Sequence, residues 1–318
     1  MKITAIGIDI AKDHLDIHAR PTGKSWRVAH TSDQFPALIA RLKDLAPERI
    51  VMEATGGLEV LLATQLAAAS LPVVVINPRQ ARDFAKATGQ LAKTDLVDAR
   101  VLAHFGEALQ PPIRPLPDEE TRALEALLTR RRQLVDMMVS EKNRYAALSR
   151  QPKLQKNVAE HIAWLKQHIA DLDDELKTKL EQSPIFCKND RLLQSVPSIG
   201  DVTSRTMLAF LPELGQLTHK QIGALVGVVP YSRQSGQWQG EAHIRGGRIE
   251  VRTVLYMATL SATRYNPTIK DFYQRLLAQG KKKKVALTAC MHKLLTILNA
   301  IVRHQEEWNP PQISAATS

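Results

Sequence analysis

The chain has 318 residues, 44% hydrophobic and 24% charged, a mix that excludes end-to-end disorder and a fibrous repeat. Its length suggests two domains, or one domain with a substantial accessory part. Lys and Arg number 43 against 32 Asp and Glu, so the net charge is +11 and a polyanionic partner is favoured. Only two cysteines are present, Cys187 and Cys290, which excludes a disulfide framework or a Cys-based zinc module and fits a reducing compartment. The chain opens directly on an Ile-rich run without the pattern of a signal peptide. No run approaches the roughly 20 apolar residues of a bilayer span, so a cytoplasmic location is expected.

The first 110 residues read as an α/β domain. Ile3 to Ile10 is a short apolar β-prone run, His14 to Ala19 alternates at period two, and Trp26 to His30 is a third candidate strand after the turn at Pro21 to Lys24. Ser32 and Asp33 can cap a helix whose apolar face is Phe35, Leu38, Ile39 and Leu42. Ile50 to Met52 is a short strand ending at Glu53. Leu58 to Ala69 is helical, Leu71 to Ile76 is another strand, and helices follow from about Arg79 and from Asp95 to about Leu109. Three strands followed by alternating helices and strands give a mixed sheet with helices packed on it.

Four carboxylates stand out there. Asp9 sits near the end of the most hydrophobic strand, where a bare buried carboxylate is costly unless paired, metal-bound or at the sheet's end. Glu53 holds the matching position after Ile50-Val51-Met52, before the glycine turn at Gly56-Gly57. Asp95 and Asp98 lie on one face of a helix by their spacing, although Thr94 or Asp95 could serve simply as its cap. Strand ends and the first turn of an adjacent helix can converge, and four carboxylates at one point suit Mg²⁺ or Mn²⁺ and phosphoryl transfer.

Residues 111–183 read as a long helical region. Glu119 to Leu148 carries regularly spaced leucines, Gln151-Pro152 interrupts it, and Val158, Ile162, Leu165, Ile169, Leu172 and Leu176 then form a heptad-like, coiled-coil seam. Both an oligomerisation arm and an intramolecular antiparallel hairpin fit this pattern. Arg130-Arg131-Arg132 reads as a solvated face, with a phosphate contact as the other option.

Residues 184–318 form the third segment. They hold 17 basic and 8 acidic residues, whereas 1–110 and 111–183 each hold 13 and 12, so almost all the excess charge lies here. A nucleic-acid-binding domain would produce that segregation, and a solvated basic face is the alternative. Val196-Pro197-Ser198-Ile199-Gly200 before a helix from Asp201 has helix-hairpin-helix character, a mainly α arrangement that can set backbone N–H groups against a phosphate. Gly227 to Gly240 is a glycine-rich loop with hairpin-like character, containing Ser235 before Gly236. Arg233, Arg245, Arg248 and Arg252 surround it, and Lys281-Lys282-Lys283-Lys284 opens the last long helix; guanidinium and ammonium groups suit phosphate oxygens, so all eight are candidate nucleic-acid contacts. Ser235 could be a phosphate contact or a nucleophile. His243 is close in sequence, with no role readable from it.

Taken together, the residues resemble the IS110/IS1111-type (IS116/IS110/IS902) insertion-sequence transposases, the DEDD transposases. The resemblance lies in Gly7 to Lys12, Met52 to Gly56, Lys93 to Ala99, Val196 to Gly200, Gly227 to Pro230, Ser235-Gly236, Arg245 to Gly247 and Arg252 to Tyr256. Pro-Ser-Ile-Gly stands where Pro-Gly-Ile-Gly is commoner. The resemblance implies a RuvC-like, ribonuclease H-type fold for the first domain, metal binding by Asp9, Glu53, Asp95 and Asp98, and a nucleophilic serine at Ser235. It further implies donor and target DNA as substrates, a structured non-coding RNA as guide, dimers pairing into tetramers, and nucleoid association when acting. Mg²⁺ or Mn²⁺ is the implied cofactor, and a transient phosphoserine link the implied intermediate. Two other classes stay open. A Holliday-junction resolvase-like nuclease would use the same acids with water, and a non-catalytic nucleic-acid-binding protein would leave Asp9 and Glu53 idle.

Overall fold

Alternation along the first strand decides which face of the sheet each residue serves. In the computed structural model, which describes residues 2–90, 94–114, 116, 118–235 and 238–309 without the side chains of 233, 234, 238, 239 and 241, β1 spans Ala5–Ile10. Strands β2 (His14–Arg20) and β3 (Lys24–Ala29) follow, then α1 (Phe35–Leu45), β4 (Ile50–Glu53), α2 (Leu58–Ala68), β5 (Val73–Ile76), α3 (Pro78–Ala87) and α4 (Asp95–Leu109). The sheet order is β3-β2-β1-β4-β5. The first three strands pair antiparallel, while β4 and β5 run parallel to β1. This mixed sheet with helices on both faces is an α/β domain that fits the RuvC-like arrangement.

Each face has its own core. Ile6, Ile8, Ile10, Leu15, Ile17, Ile50 and Met52 are buried with Phe35, Leu38 and Leu42 of α1 and Leu62 and Leu66 of α2. On the opposite face Val51, Val74 and Ile76 are buried with Ala81 of α3 and Leu102 and Phe105 of α4. Ala5, Gly7 and Asp9 alternate out of phase with the three isoleucines, so they belong to the α4 face. There α4 lies close enough that only a glycine fits: a Cβ on residue 7 would stand 2.4 Å from the Ala103 amide nitrogen, and one on Gly106 would meet Val51 Cγ2 at 2.7 Å. Gly106 thus sits over Ala5, and Ala99 and Ala103 sit over Gly7. The first turn of α4 is carried on toward Asp9 by the same direction of travel.

The chain divides into two compact units, Met1–Leu116 and Pro117–Ser318. The second unit is mostly helical. Its long helices α5 (Glu119–Ala147) and α6 (Pro152–Gln182) pack as an antiparallel hairpin. Leu134 meets Leu165 and Ile169, Leu124 and Leu128 meet Leu176 and Leu180, and Arg131 pairs with Asp173 at 2.6 Å. The heptad-like seam of α6 therefore faces α5 of the same chain, which is the hairpin of the two options the periodicity leaves open.

Helices α7 (Pro184–Gln194), α8 (Asp201–Phe210), α9 (His219–Val226), α10 (Ile249–Tyr265), α11 (Pro267–Ala278) and α12 (Lys283–His304) enclose the largest core, with the two-stranded sheet of β6 (Pro230–Ser235) and β7 (Trp238–Ile244) inserted before α10. The glycine-rich segment, expected as a loop with hairpin-like character, is largely an antiparallel hairpin. Helix α11 is an element beyond the sequence expectation, although Asn266 and Pro267 are its start signals: the Asn266 side chain accepts from the Ile269 amide at 3.2 Å. By length and composition α12 could cross a membrane. Its Cys290, Met291, Leu294, Leu295 and Leu298 are instead buried in the core of this unit.

Candidate active site

All four sequence-selected acids line one cavity of about 490 Å³ in the first unit. Asp9 comes from the end of β1 and Glu53 from the end of β4, which lies parallel beside it. Asp95 and Asp98 come from the first turn of α4. Thr94 is the cap of that helix, its hydroxyl accepting from the Val97 amide at 3.4 Å. Asp95 is thereby released from the capping role, and both aspartates sit where the helix N-terminus favours negative charge.

The electrostatics follow from this crowding. Burial, then the carboxylates of Asp98, Asp95, Glu53 and Asp16, push the Asp9 carboxyl from 3.8 up to about 6. A carboxylate so placed is stabilised by added positive charge. The donor set is all hard oxygen, which fits a divalent ion of the Mg²⁺ or Mn²⁺ type.

Two neighbours escape a reading of the sequence. Asp16 is the cross-strand partner of Asp9, and His14 lies beside it on the same face of β2. His14 Nε2 stands 3.1 Å from Asp95 Oδ2 and 3.4 Å from Asp16 Oδ2. One ligand atom from each of His14, Asp16 and Asp95 falls within 4.8 Å of the others. Asp16 is buried and gripped by Arg27, whose Nε and Nη2 donate to its two oxygens at 3.0 and 2.6 Å. The one signal in the chain is the His-x-Asp alternation, placed opposite Asp9 by a short hairpin.

The turn after β4 is fixed by another acid. The amides of Thr55 and Gly57 and the Thr55 hydroxyl all donate to Glu59 Oε2, at 3.0, 2.9 and 3.0 Å. Burial raises the Glu59 carboxyl, but these hydrogen bonds outweigh it and hold it below its ordinary value. Gly56 and Gly57 take φ of 76° and 120°, which suits them to the turn.

In the second unit Ser235 is exposed at the end of β6 and pairs across the hairpin with Trp238. Arg245 is exposed. Arg252 donates to the Gly246 carbonyl. Arg248 donates to both carboxylate oxygens of Glu213, at 2.5 and 2.7 Å, and to the Phe210 carbonyl at 2.9 Å. That guanidinium is held inside its own unit, where it ties the start of α10 to the end of α8. Lys281, Lys282, Lys283 and Lys284 are all exposed. The Arg233 side chain, Gly236 and Lys93 lie outside the described residues.

In the Val196-to-Gly200 turn between α7 and α8, Ser198 takes φ of 86°, a left-handed conformation in which glycine is at ease. Its hydroxyl is buried without a hydrogen-bond partner.

Comparison with known proteins places these features. The family described as a DEDD transposase of IS110 type matches residues 6–151, and the "Transposase IS116/IS110/IS902 family" matches residues 190–274. The chain belongs to the IS110-type transposases. Membership carries DNA transposition and recombination, with DNA cleavage, as its activity class. Over 97% of its length the chain is 29% identical to the "Pilin gene-inverting protein" of Moraxella bovis, covering 98% of that protein. The protein of the same name from Moraxella lacunata is also 29% identical, over the same shares of both chains. The "Insertion element IS116 uncharacterized 44.8 kDa protein" of Streptomyces clavuligerus is 25% identical over 62% of this chain and 47% of its own. The DEDD type and the His14-Asp16-Asp95 group together suggest use of a divalent metal.

Proposed function

We propose that this transposase cuts and exchanges DNA strands through a covalent link to Ser235, with a divalent ion held by Asp9, Glu53, Asp95 and Asp98. The observation that carries the reading is the convergence of those four acids on one cavity, with Asp9 pushed up to about 6 by burial and by the other three. When bound, Mg²⁺ or Mn²⁺ would supply Lewis-acid polarisation of a phosphate and steady charge on a leaving oxygen.

The chain's own groups do the rest. Ser235 Oγ forms a bond to phosphorus as the bond to the 3′ oxygen breaks; the serine proton is lost to solvent and the 3′ oxygen leaves as a hydroxyl after gaining one. Rejoining reverses this: a 3′ hydroxyl attacks the phosphoserine and Ser235 regains its proton. One phosphodiester is exchanged for another, so no external energy source is needed. Arg245, Arg252 and the Lys281 to Lys284 run are the contacts proposed for the nucleic-acid backbone, with Arg233 and Arg248 as the remaining sequence candidates.

The acids and the serine belong to different compact units, so the reading requires both units, from one chain or two, to act on one phosphodiester. A homodimer pairing into a tetramer, and guidance by a structured non-coding RNA, complete the proposal. Exposed Met137, Val139, Tyr145, Leu154 and Trp164 on the two long helices support the assembly part. Net positive charge concentrated in residues 184–318 supports nucleic-acid binding.

The test is to incubate the chain with Mg²⁺, DNA flanking its own gene and RNA transcribed from the non-coding flank, then to run a denaturing gel. A DNA–protein adduct absent from Ser235→Ala is expected. Metal-dependent cleavage that persists without an adduct would replace this reading with the water-using, resolvase-like one.

A further inference from the structure

The cavity that holds the four acids has a second wall of opposite sign. Helix α3 contributes Pro78, Ala81, Arg82, Ala85 and Lys86 to its lining, and Gln90 follows just beyond. Positions 78, 81, 82, 85 and 86 form one stripe of a helix at the usual spacing. The two alanines keep that stripe low, so the cationic side chains at 82 and 86 are its tall groups. The other face of α3 is used differently. Phe84 packs edge-on against His104 and Phe105 of α4, and Arg79 pairs with Asp83 at 3.7 Å outside the cavity lining. Helix α3 is thus fastened to α4, the helix that carries Asp95 and Asp98, and its aim relative to those acids is set by packing.

Arg82 and Lys86, both exposed, line the same cavity of about 490 Å³ as the four carboxylates, which leaves room for an anionic chain to meet both signs of charge. A phosphodiester there would meet a metal-binding wall on one side and ammonium and guanidinium donors on the other. We propose that Arg82 and Lys86 are positioning residues that bind backbone phosphates of the DNA strand being cut, holding it against the carboxylate wall. The substrate class is a DNA strand recognised through its phosphates; bases play no part at these two residues. This inference rests on the proposed function and extends it to a helix that the acids and the serine do not include.

Affinity for a DNA duplex carrying the gene's own flanking sequence is to be measured over a range of salt, with the full chain in a Ser235→Ala background and Mg²⁺ present. The comparison is between that parent and R82Q/K86Q. Each phosphate that is no longer neutralised flattens the plot of log affinity against log salt by about 0.9, so a double variant shallower by about two is expected. Affinity at low salt should drop about tenfold or more. R82K/K86R should recover most of both, since charge is retained. An unchanged slope in R82Q/K86Q would overturn the proposal. So would a melting temperature lowered in R82Q/K86Q and restored in R82K/K86R with the salt slope unchanged throughout, since the pair would then serve only to offset the acids' mutual repulsion. A slope change with an RNA duplex alone would overturn it too. Adduct formation by the wild-type chain on the same duplex, run in parallel, reports separately on the serine mechanism. Its absence when RNA transcribed from the gene's non-coding flank is also present would sink that reading, while the salt slopes still decide the role of α3.

Discussion

Gly7 and Ala99 stand so close that a Cβ added at residue 7 would lie 2.1 Å from the Ala99 carbonyl oxygen. This one approach sets the separation of α4 from β1. It therefore fixes how near Asp95 and Asp98, at the start of α4, come to Asp9, two residues along the strand. Gly7→Ala should destabilise the protein by about 1–3 kcal/mol, the usual range for forced overpacking. Metal-dependent cleavage should fall more than the folded fraction does, because the helix must lift away from the acid site. Calorimetry beside a cleavage assay checks both. A variant with normal stability and normal cleavage would mean the helix is not set by this contact.

Asp9→Asn should abolish cleavage and leave the fold intact. It should also change how stability responds to pH. The folded carboxyl titrates near 6 and the unfolded one near 3.8, so the folded state holds its proton more tightly. Ionising Asp9 therefore destabilises the fold, by an amount that is absent below 3.8, grows with rising pH and is complete above about 6. Without added metal, the melting temperature of wild type relative to Asp9→Asn should decline across that window. A flat difference would show that the repulsion among the acids is relieved in some other way.

Ser235→Ala should lose all covalent DNA linkage and strand exchange while keeping nucleic-acid affinity within about threefold, since a surface hydroxyl is worth little in binding. Ser232→Ala should be much milder. Adduct gels and filter binding on both variants decide it; survival of the adduct in Ser235→Ala would remove the serine from the chemistry.

Ser198→Gly should stabilise the second unit by about 1 kcal/mol, by relieving a left-handed non-glycine residue and deleting an unpaired buried hydroxyl. Denaturant unfolding of the full chain measures it. A loss of stability would mean that the serine hydroxyl makes a bond, direct or through water, that glycine forfeits.

Much of the α/β unit is legible in the sequence because its strands are short, Ile- and Val-rich and punctuated by clear turns. Asp9 and Glu53 are readable as strand-end acids for that reason. Asp16 is not. Within its own strand it is one polar residue in an alternating run, and only the pairing of β1 with β2 brings it opposite Asp9. His14 is hidden in the same way, because its nearest acid in space is Asp95, far along the chain. The glycine-rich stretch around Ser235 shows hairpin-like character in the sequence but not the bounds of its two strands, since Gly and Gln carry little strand signal and the cross-strand partners supply the regularity. For Arg248, sequence shows a cation beside two glycines, whereas its Glu213 partner is set by the packing of α10 on α8.

The Thr55-to-Gly57 turn divides labour between two glutamates. Glu53 points its strand end at the cavity, while Glu59, nearly enclosed, acts as a peg around which the turn is wound. An acid-to-amide change at either position can silence the protein, for unlike reasons. At Glu53 the deficit belongs to the cavity, and excess divalent ion should soften it. At Glu59 the turn itself slackens and the strand end loses its aim, which no amount of metal restores. A metal titration therefore sorts the two glutamates where a simple loss-of-activity screen would count both as ligands.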